Sequence, residues 1–119
     1  VQKPINRSPN NTGGRELPPA QPALLYYPYG NSPEFPELGQ GGRTACAGPV
    51  YHFDSSLDSK TKFPAVYDDA LFIYEWSRHC IKVAHLDENH DVKKIEPFMP
   101  AQTFVRPIDM KFGPEGAMS

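Results

Sequence analysis

Apolar and aromatic positions in this chain come in short runs, separated by proline, glycine and small polar residues. Residues 70–76 read Ala-Leu-Phe-Ile-Tyr-Glu-Trp and residues 80–86 read Cys-Ile-Lys-Val-Ala-His-Leu. A weaker run follows at 91–98, and another at 105–112. Upstream, 24–29 (Leu-Leu-Tyr-Tyr-Pro-Tyr) and 49–54 (Pro-Val-Tyr-His-Phe-Asp) have the same character. Each run is a strand candidate, because β-branched and aromatic residues suit a pleated, half-buried surface. A helical period survives ten residues without proline or glycine only around 67–78, where the aromatic content again favours strand. The segment Asp87-Glu-Asn-His-Asp91 is turn-rich and predicts a hairpin between the second and third of these later runs.

The last run ends in Gly113-Pro-Glu-Gly116, a turn signal. A returning strand is expected after it, and only Ala117, Met118 and Ser119 follow. The pattern therefore predicts an unfinished hairpin, with an unpaired edge beyond Phe112 that would promote association or strand exchange.

Residues 1–23 are different. They are polar and rich in proline, asparagine and glycine, and read as an extended lead-in loop. They carry two Asn-x-Ser/Thr sequons, at Asn6 and Asn10, which matter only in a host that glycosylates secreted proteins. Residues 24–119 form the body. Strands at irregular intervals of ~10–20 residues, joined by long loops, make the chain all-β and suit a propeller or a sandwich.

Composition strengthens this picture. The 14 prolines are roughly twice the usual share and oppose long helices. With 119 residues the chain has room for one modest core. A formal charge of −2 gives no electrostatic footprint for nucleic acid. No apolar run approaches the ~20 residues of a membrane span. No signal peptide is visible and the first residue is not Met, as expected of a mature or trimmed product. Cys46 and Cys80 are the two cysteines: one disulfide in an oxidising compartment, or two free, partly buried thiols.

Candidate chemistry is sparse. Asp87-x-Asn89-x-Asp91 opens like a calcium loop, but Val92 stands where that loop needs Gly and Phe98 where it needs Glu. A solvated hairpin turn is the simpler reading. His52, His79, His85 and His90 show no i, i+4 or His-x-His spacing, so surface or half-buried structural roles are expected. There is no Gly-x-Ser-x-Gly elbow. Arg78 follows Trp76 at a strand end, and Arg106 sits inside a run just before Pro107. Arginine beside an aromatic suits an anionic or planar ligand. Equally, Arg106 and Asp109 would tie two strands together as a structural pair. Tyr26, Tyr27 and Tyr29 would stack on sugar faces or serve as core.

Three stretches together resemble the glucose/sorbosone dehydrogenase family: 47–52 (Ala-Gly-Pro-Val-Tyr-His), 62–78 (Lys-Phe-Pro-Ala-Val-Tyr-Asp-Asp-Ala-Leu-Phe-Ile-Tyr-Glu-Trp-Ser-Arg) and 106–116 (Arg-Pro-Ile-Asp-Met-Lys-Phe-Gly-Pro-Glu-Gly). Those proteins are six-bladed β-propellers that use pyrroloquinoline quinone. The lead-in, with Glu34-Phe-Pro-Glu37 and Gly41-Gly-Arg43, is most similar to a bacterial secreted branch. The resemblance implies a partial propeller of about two antiparallel blades, from a secreted or periplasmic parent that oxidises an aldose. The remaining blades would be its partners, and calcium a cofactor of the parent rather than of this segment. It implies Arg106 and Arg78 as cofactor-binding residues, with Trp76 and Tyr27 on the sugar side. In the quinone-using members a lysine and two arginines hold the cofactor's carboxylates. Here the lysine position falls near Ser77 with Arg78 beside it, Arg106 matches the first arginine, and Ile108 stands at the second. The alternative is a non-catalytic propeller that binds carbohydrate or other domains. On either reading the isolated chain is expected to turn nothing over, since blades share their core with neighbours.

Overall fold

A computed structural model describes residues 3–119. The chain is all-β, as its pattern predicts. Four strands, β1 (Ala45–Tyr51), β2 (Ala70–Glu75), β3 (Cys80–Leu86) and β4 (Val92–Pro97), form one antiparallel meander in the order β1-β2-β3-β4. Among the described residues, the only helical turns are two short 3-10 segments, Pro36–Leu38 and Ala65–Tyr67. The expected strands at 70–76, 80–86 and 91–98 fall within a residue of β2, β3 and β4. Asp87 closes the β3–β4 turn by accepting the N–H groups of Asn89 and Asp91 at 2.8 and 3.0 Å. That carboxylate is engaged as a turn cap, in keeping with the solvated hairpin reading.

Three expected elements differ. The strand expected at 49–54 is β1, which lies earlier, at Ala45–Tyr51. Its pairing with β2 breaks between Ala47 and Val50. Gly48 sits in that bulge, where a Cβ would come within 2.8 Å of the Phe72 carbonyl oxygen. Only glycine lets the two backbones approach so closely.

The run at 24–29 forms no strand. Its Leu25 and Tyr27 instead pack against the sheet as part of an irregular cover. Pro28 supplies no N–H for a ladder.

The run at 105–112 is also irregular. Arg106 has a positive φ of 52° next to Pro107, which no regular strand tolerates. The segment crosses one face of the sheet, held by the Tyr74 hydroxyl donating to the Ile108 carbonyl at 3.2 Å and by buried Met110.

The hairpin expected to be unfinished does close. Gly113 N–H donates to Ala117 O at 2.8 Å, and Lys111 and Ser119 exchange two bonds of 2.9 Å. Phe112 thus pairs with Met118, so the edge beyond Phe112 is not left open. Three residues suffice because Gly116, at φ 76°, permits the tight turn.

Side chains alternate across the sheet, and each face has its own cover. One face presents Tyr51, Ala70, Phe72, Tyr74, Ile81 and Val83. Loop aromatics Phe63, Tyr67, Phe98 and Phe112 close over it, with ring centroids 5.4–5.8 Å from Phe72 for these four residues. Such tilted and edge-on contacts are the favoured ring geometries. The other face presents Leu71, Ile73, Ala84 and Ile95, covered by Leu25, Tyr27, Phe35 and Leu38. Both faces are therefore covered by the chain's own loops.

The unpaired edges belong to β1 and β4. The β1 edge is broken by the bulge at Gly48-Pro49, and β4 carries Lys93, Lys94 and Pro97. Bulges, lysines and prolines all discourage strand addition. Cys46 pairs across to Tyr74 and Cys80 to Glu75, successive β2 residues on opposite faces. Both thiols are free, and β2 lies between them.

The lead-in is closed on itself rather than extended. Asn6 N–H donates to Arg15 O at 2.8 Å and Leu17 N–H to Pro4 O at 2.9 Å, so the two sequons lie in one surface loop. An exposed Lys3–Glu16 pair at 3.3 Å adds little.

Candidate functional site

The β2–β3 connection, Trp76-Ser77-Arg78-His79, carries two of the four site residues singled out from sequence, Trp76 and Arg78. His79 closes it with a positive φ of 53°. The turn projects Arg78 toward the loop at 24–43 and Trp76 toward the crossing segment at 105–112. Two arginine–aromatic pairs result. The Arg78 guanidinium lies 4.5 Å from the Tyr27 ring centroid, and that of Arg106 lies 4.6 Å from the Trp76 ring centroid.

The two arginines are in different states. Arg78 donates to five backbone carbonyls: Leu38 at 2.7 Å, Gly42 at 2.8 Å, Pro28 at 3.0 Å, Gly39 at 3.1 Å and Gly41 at 3.3 Å. A loop rich in Gly and Pro cannot satisfy its own carbonyls with regular structure, and the planar five-donor fork does it instead. Arg78 is thus the organiser of this loop, with its donors engaged. Arg106 is exposed and, among the described residues, makes no ion pair. Its backbone N–H points at His79 Nδ1, 3.4 Å away. Asp109 caps its own neighbour Met110 at 2.9 Å and lies 3.5 Å from Lys111, so the Arg106–Asp109 tie does not form.

Glu75 carries no motif that singles it out in the sequence. It is only 5% exposed. Its Oε1 accepts Thr44 N–H at 2.7 Å and Ser77 N–H at 3.0 Å, and its Oε2 accepts the Tyr27 hydroxyl. Burial, and then the bond to Glu75, push the Tyr27 phenol well above its ordinary range. Tyr27 is therefore held between a carboxylate and a guanidinium rather than offered to a ligand. The signal available in sequence was one carboxylate at the end of an otherwise apolar β2.

Beneath this network lies a cavity of about 300 Å3 between the sheet and the 24–43 loop. Leu24, Leu25, Leu38, Leu71 and Ile73 line it, with Lys82 and Cys80 on its wall. Burial raises the Cys80 thiol, which favours its neutral form.

Two further clusters involve histidine. His85 Nε2 lies 2.8 Å from Glu96 Oε1, and Lys94 Nζ lies 2.7 Å from Glu96 Oε2. These bonds, that from Lys94 first, hold Glu96 below the usual carboxylate range. At the start of β2, His52, Asp68 and Asp69 bring their ligand atoms within 4.8 Å of one another, all exposed. Asp69 Oδ1 faces His52 Nδ1 at 3.1 Å, and Asp68 Oδ1 accepts Phe53 N–H at 2.8 Å.

The quinone implied by the resemblance would require several converging cations. Ser77 has its hydroxyl 2.7 Å from that of Thr44, Arg78 is saturated by carbonyls, and Ile108 is apolar and exposed. Of these positions only Arg106 offers a free cation. The residues present do not by themselves make a site for a multiply charged quinone. Compared with known protein families, curated proteins and solved structures, the chain matches none.

Proposed function

We propose that this chain is a segment of a sugar dehydrogenase propeller of the glucose/sorbosone type, contributing the cation Arg106 and, with its single four-stranded sheet, one blade rather than the two that the resemblance implies, to the mouth of a larger protein. The observation that carries the reading is topological. A four-stranded antiparallel meander in strict sequence order is the strand complement of a propeller blade. Arg106, stacked on Trp76 with its donors free, stands at one end of that meander. In this reading the hydride chemistry belongs to a quinone held mainly by other blades, with calcium in the parent. This chain binds and orients: Arg106 faces a carboxylate, and Trp76 supplies an apolar surface for the sugar. The parent is secreted or periplasmic, its substrate is an aldose, and the remaining blades are the partners of this one.

The test uses the full-length parent, loaded with pyrroloquinoline quinone and calcium and assayed for dye reduction with aldoses. The expected result is turnover, with quinone affinity reduced in Arg106→Ala. No turnover, together with unchanged quinone binding in Arg106→Ala, overturns the proposal.

A second reading, a non-catalytic carbohydrate-binding module, is favoured by a different observation. Tyr26 and Tyr29 are 54% and 63% exposed on the 24–43 loop, with Arg43 lying 4.4 Å from the Tyr29 ring centroid. Aromatic faces of this kind stack on sugars. On a glycan array, signal lost in Tyr29→Ala but kept in Arg106→Ala supports this reading over the first. Flat titrations with every sugar refute it.

A further inference from the structure

The cavity between the sheet and the 24–43 loop has no part in either reading. It lies between this chain's own sheet and its own loop and opens to solvent at Leu24, Ala45 and Ala47. Its walls are mainly leucine, isoleucine and alanine side chains, and the polar Tyr27, Glu75 and Arg78 that also line it spend their groups on one another and on nearby backbone, so sugar hydroxyls would lose water there without gaining partners. A sugar is the wrong occupant. An apolar body is the right one, with about ten non-hydrogen atoms if each takes roughly the 30 Å3 of a water.

The charges at the cavity select the other end of the ligand. Glu75 is bound by three donors, and the guanidinium of Arg78 is engaged by the Tyr27 ring and by backbone carbonyls. Cys80 favours its neutral form. That leaves Lys82, half-buried on the wall, which among the described residues has no hydrogen-bond or ion-pair partner. Lys82 is thus the one cation of the wall without a protein partner among the described residues, and a carboxylate supplies its complement.

We infer that this cavity is a binding site for a small apolar monocarboxylate, its tail among Leu24, Leu25, Leu38, Leu71 and Ile73 and its head on Lys82. An eight-carbon fatty acid matches the volume. This inference does not rest on the dehydrogenase reading: Arg106 and Trp76, which carry that reading, lie outside the cavity.

The probe is octanoate, with octanol and glucose as comparisons, titrated into the 119-residue chain and followed by amide chemical shifts and calorimetry. Saturable shifts at Leu71, Ile73 and Lys82 are expected with octanoate and not with glucose. Lys82→Gln should weaken octanoate about fivefold and leave octanol unchanged, the size of a partly exposed charge contact. Ala47→Phe, placed on an exposed lining position of β1, should fill the cavity and weaken both alkyl ligands at least about tenfold. Circular dichroism checks that each variant keeps its sheet. The absence of saturable shifts up to about 10 mM overturns the site, as does binding that Ala47→Phe leaves intact. Octanol binding as tightly as octanoate, with no effect of Lys82→Gln, overturns the carboxylate assignment.

Discussion

Arg78→Ala should cost this fold far more than its place at a surface turn suggests. Its guanidinium donates to five carbonyls between Pro28 and Gly42, and three of these bonds, to Leu38, Gly39 and Gly42, are partly buried. At about 1 kcal/mol net for each of the three, with about 0.5–1 kcal/mol for the contact with Tyr27, the loss is about 3.5–4 kcal/mol. The two more exposed bonds are left out, because water replaces them. For a domain with about 5–15 kcal/mol of total stability that is a large fraction. At a urea slope of about 2 kcal/mol per molar, the midpoint should fall by about 1.5–2 M. Arg78→Lys keeps the charge but not the fork, so its midpoint should lie between the two. Amide exchange provides the local readout. Gly41 N–H donates to Tyr29 O at 2.8 Å, and its protection should collapse in Arg78→Ala before the sheet opens. Arg106→Ala is the control, with a stability change within about 0.5–1 kcal/mol because its contact with Trp76 is exposed. A midpoint shift below about 0.5 M in Arg78→Ala with Gly41 still protected would refute the structural role. An equal loss in Arg106→Ala would refute the contrast.

Phe72→Ala should destabilise by about 3–5 kcal/mol in the same denaturation assay, since Phe72 is fully buried among Phe63, Tyr67, Phe98 and Phe112; a loss under about 1 kcal/mol would show that the aromatic cover does not close on this face. Gly48→Ala places a methyl 2.8 Å from the Phe72 carbonyl, so the melting temperature should fall and the β1 amides should lose protection first. Glu96 has a lowered pKa in the folded chain, so its stabilisation is present above the ordinary glutamate range and is lost as pH falls through the folded value. Thermal melts of the wild type and Glu96→Gln should therefore differ at neutral pH and converge in acid; parallel curves would exclude the linkage. Tyr27 behaves oppositely. Its raised phenol keeps Glu75 bonded below the ordinary tyrosine range, and stability should fall as pH rises beyond it, less steeply in Tyr27→Phe.

Local chemistry alone determined a good deal of this protein. Period-two runs of aromatic and β-branched residues in β2 and β3, with the Asp87–Asp91 turn between β3 and β4, fix strands and a hairpin within the chain's nearest neighbours. Each such strand meets its partner across a short connection, so short-range pattern is enough. Segments whose conformation is set by distant contacts were not legible. Residues 24–29 look like a strand, yet Tyr27 is claimed by Glu75, 48 positions away. Residues 105–112 look like another, yet the Tyr74 hydroxyl and the core around Met110 hold them irregular. The same holds for the site. The sequence marks Arg78, beside Trp76, and Arg106, before Pro107, both as candidate ligand-binding cations, and nothing local says which of them is free. Only the tertiary structure turned one into the carbonyl-saturated organiser of a glycine-rich loop and left the other free over Trp76. A guanidinium's role depends on which acceptors surround it, and those acceptors come from chain 36 to 50 residues away.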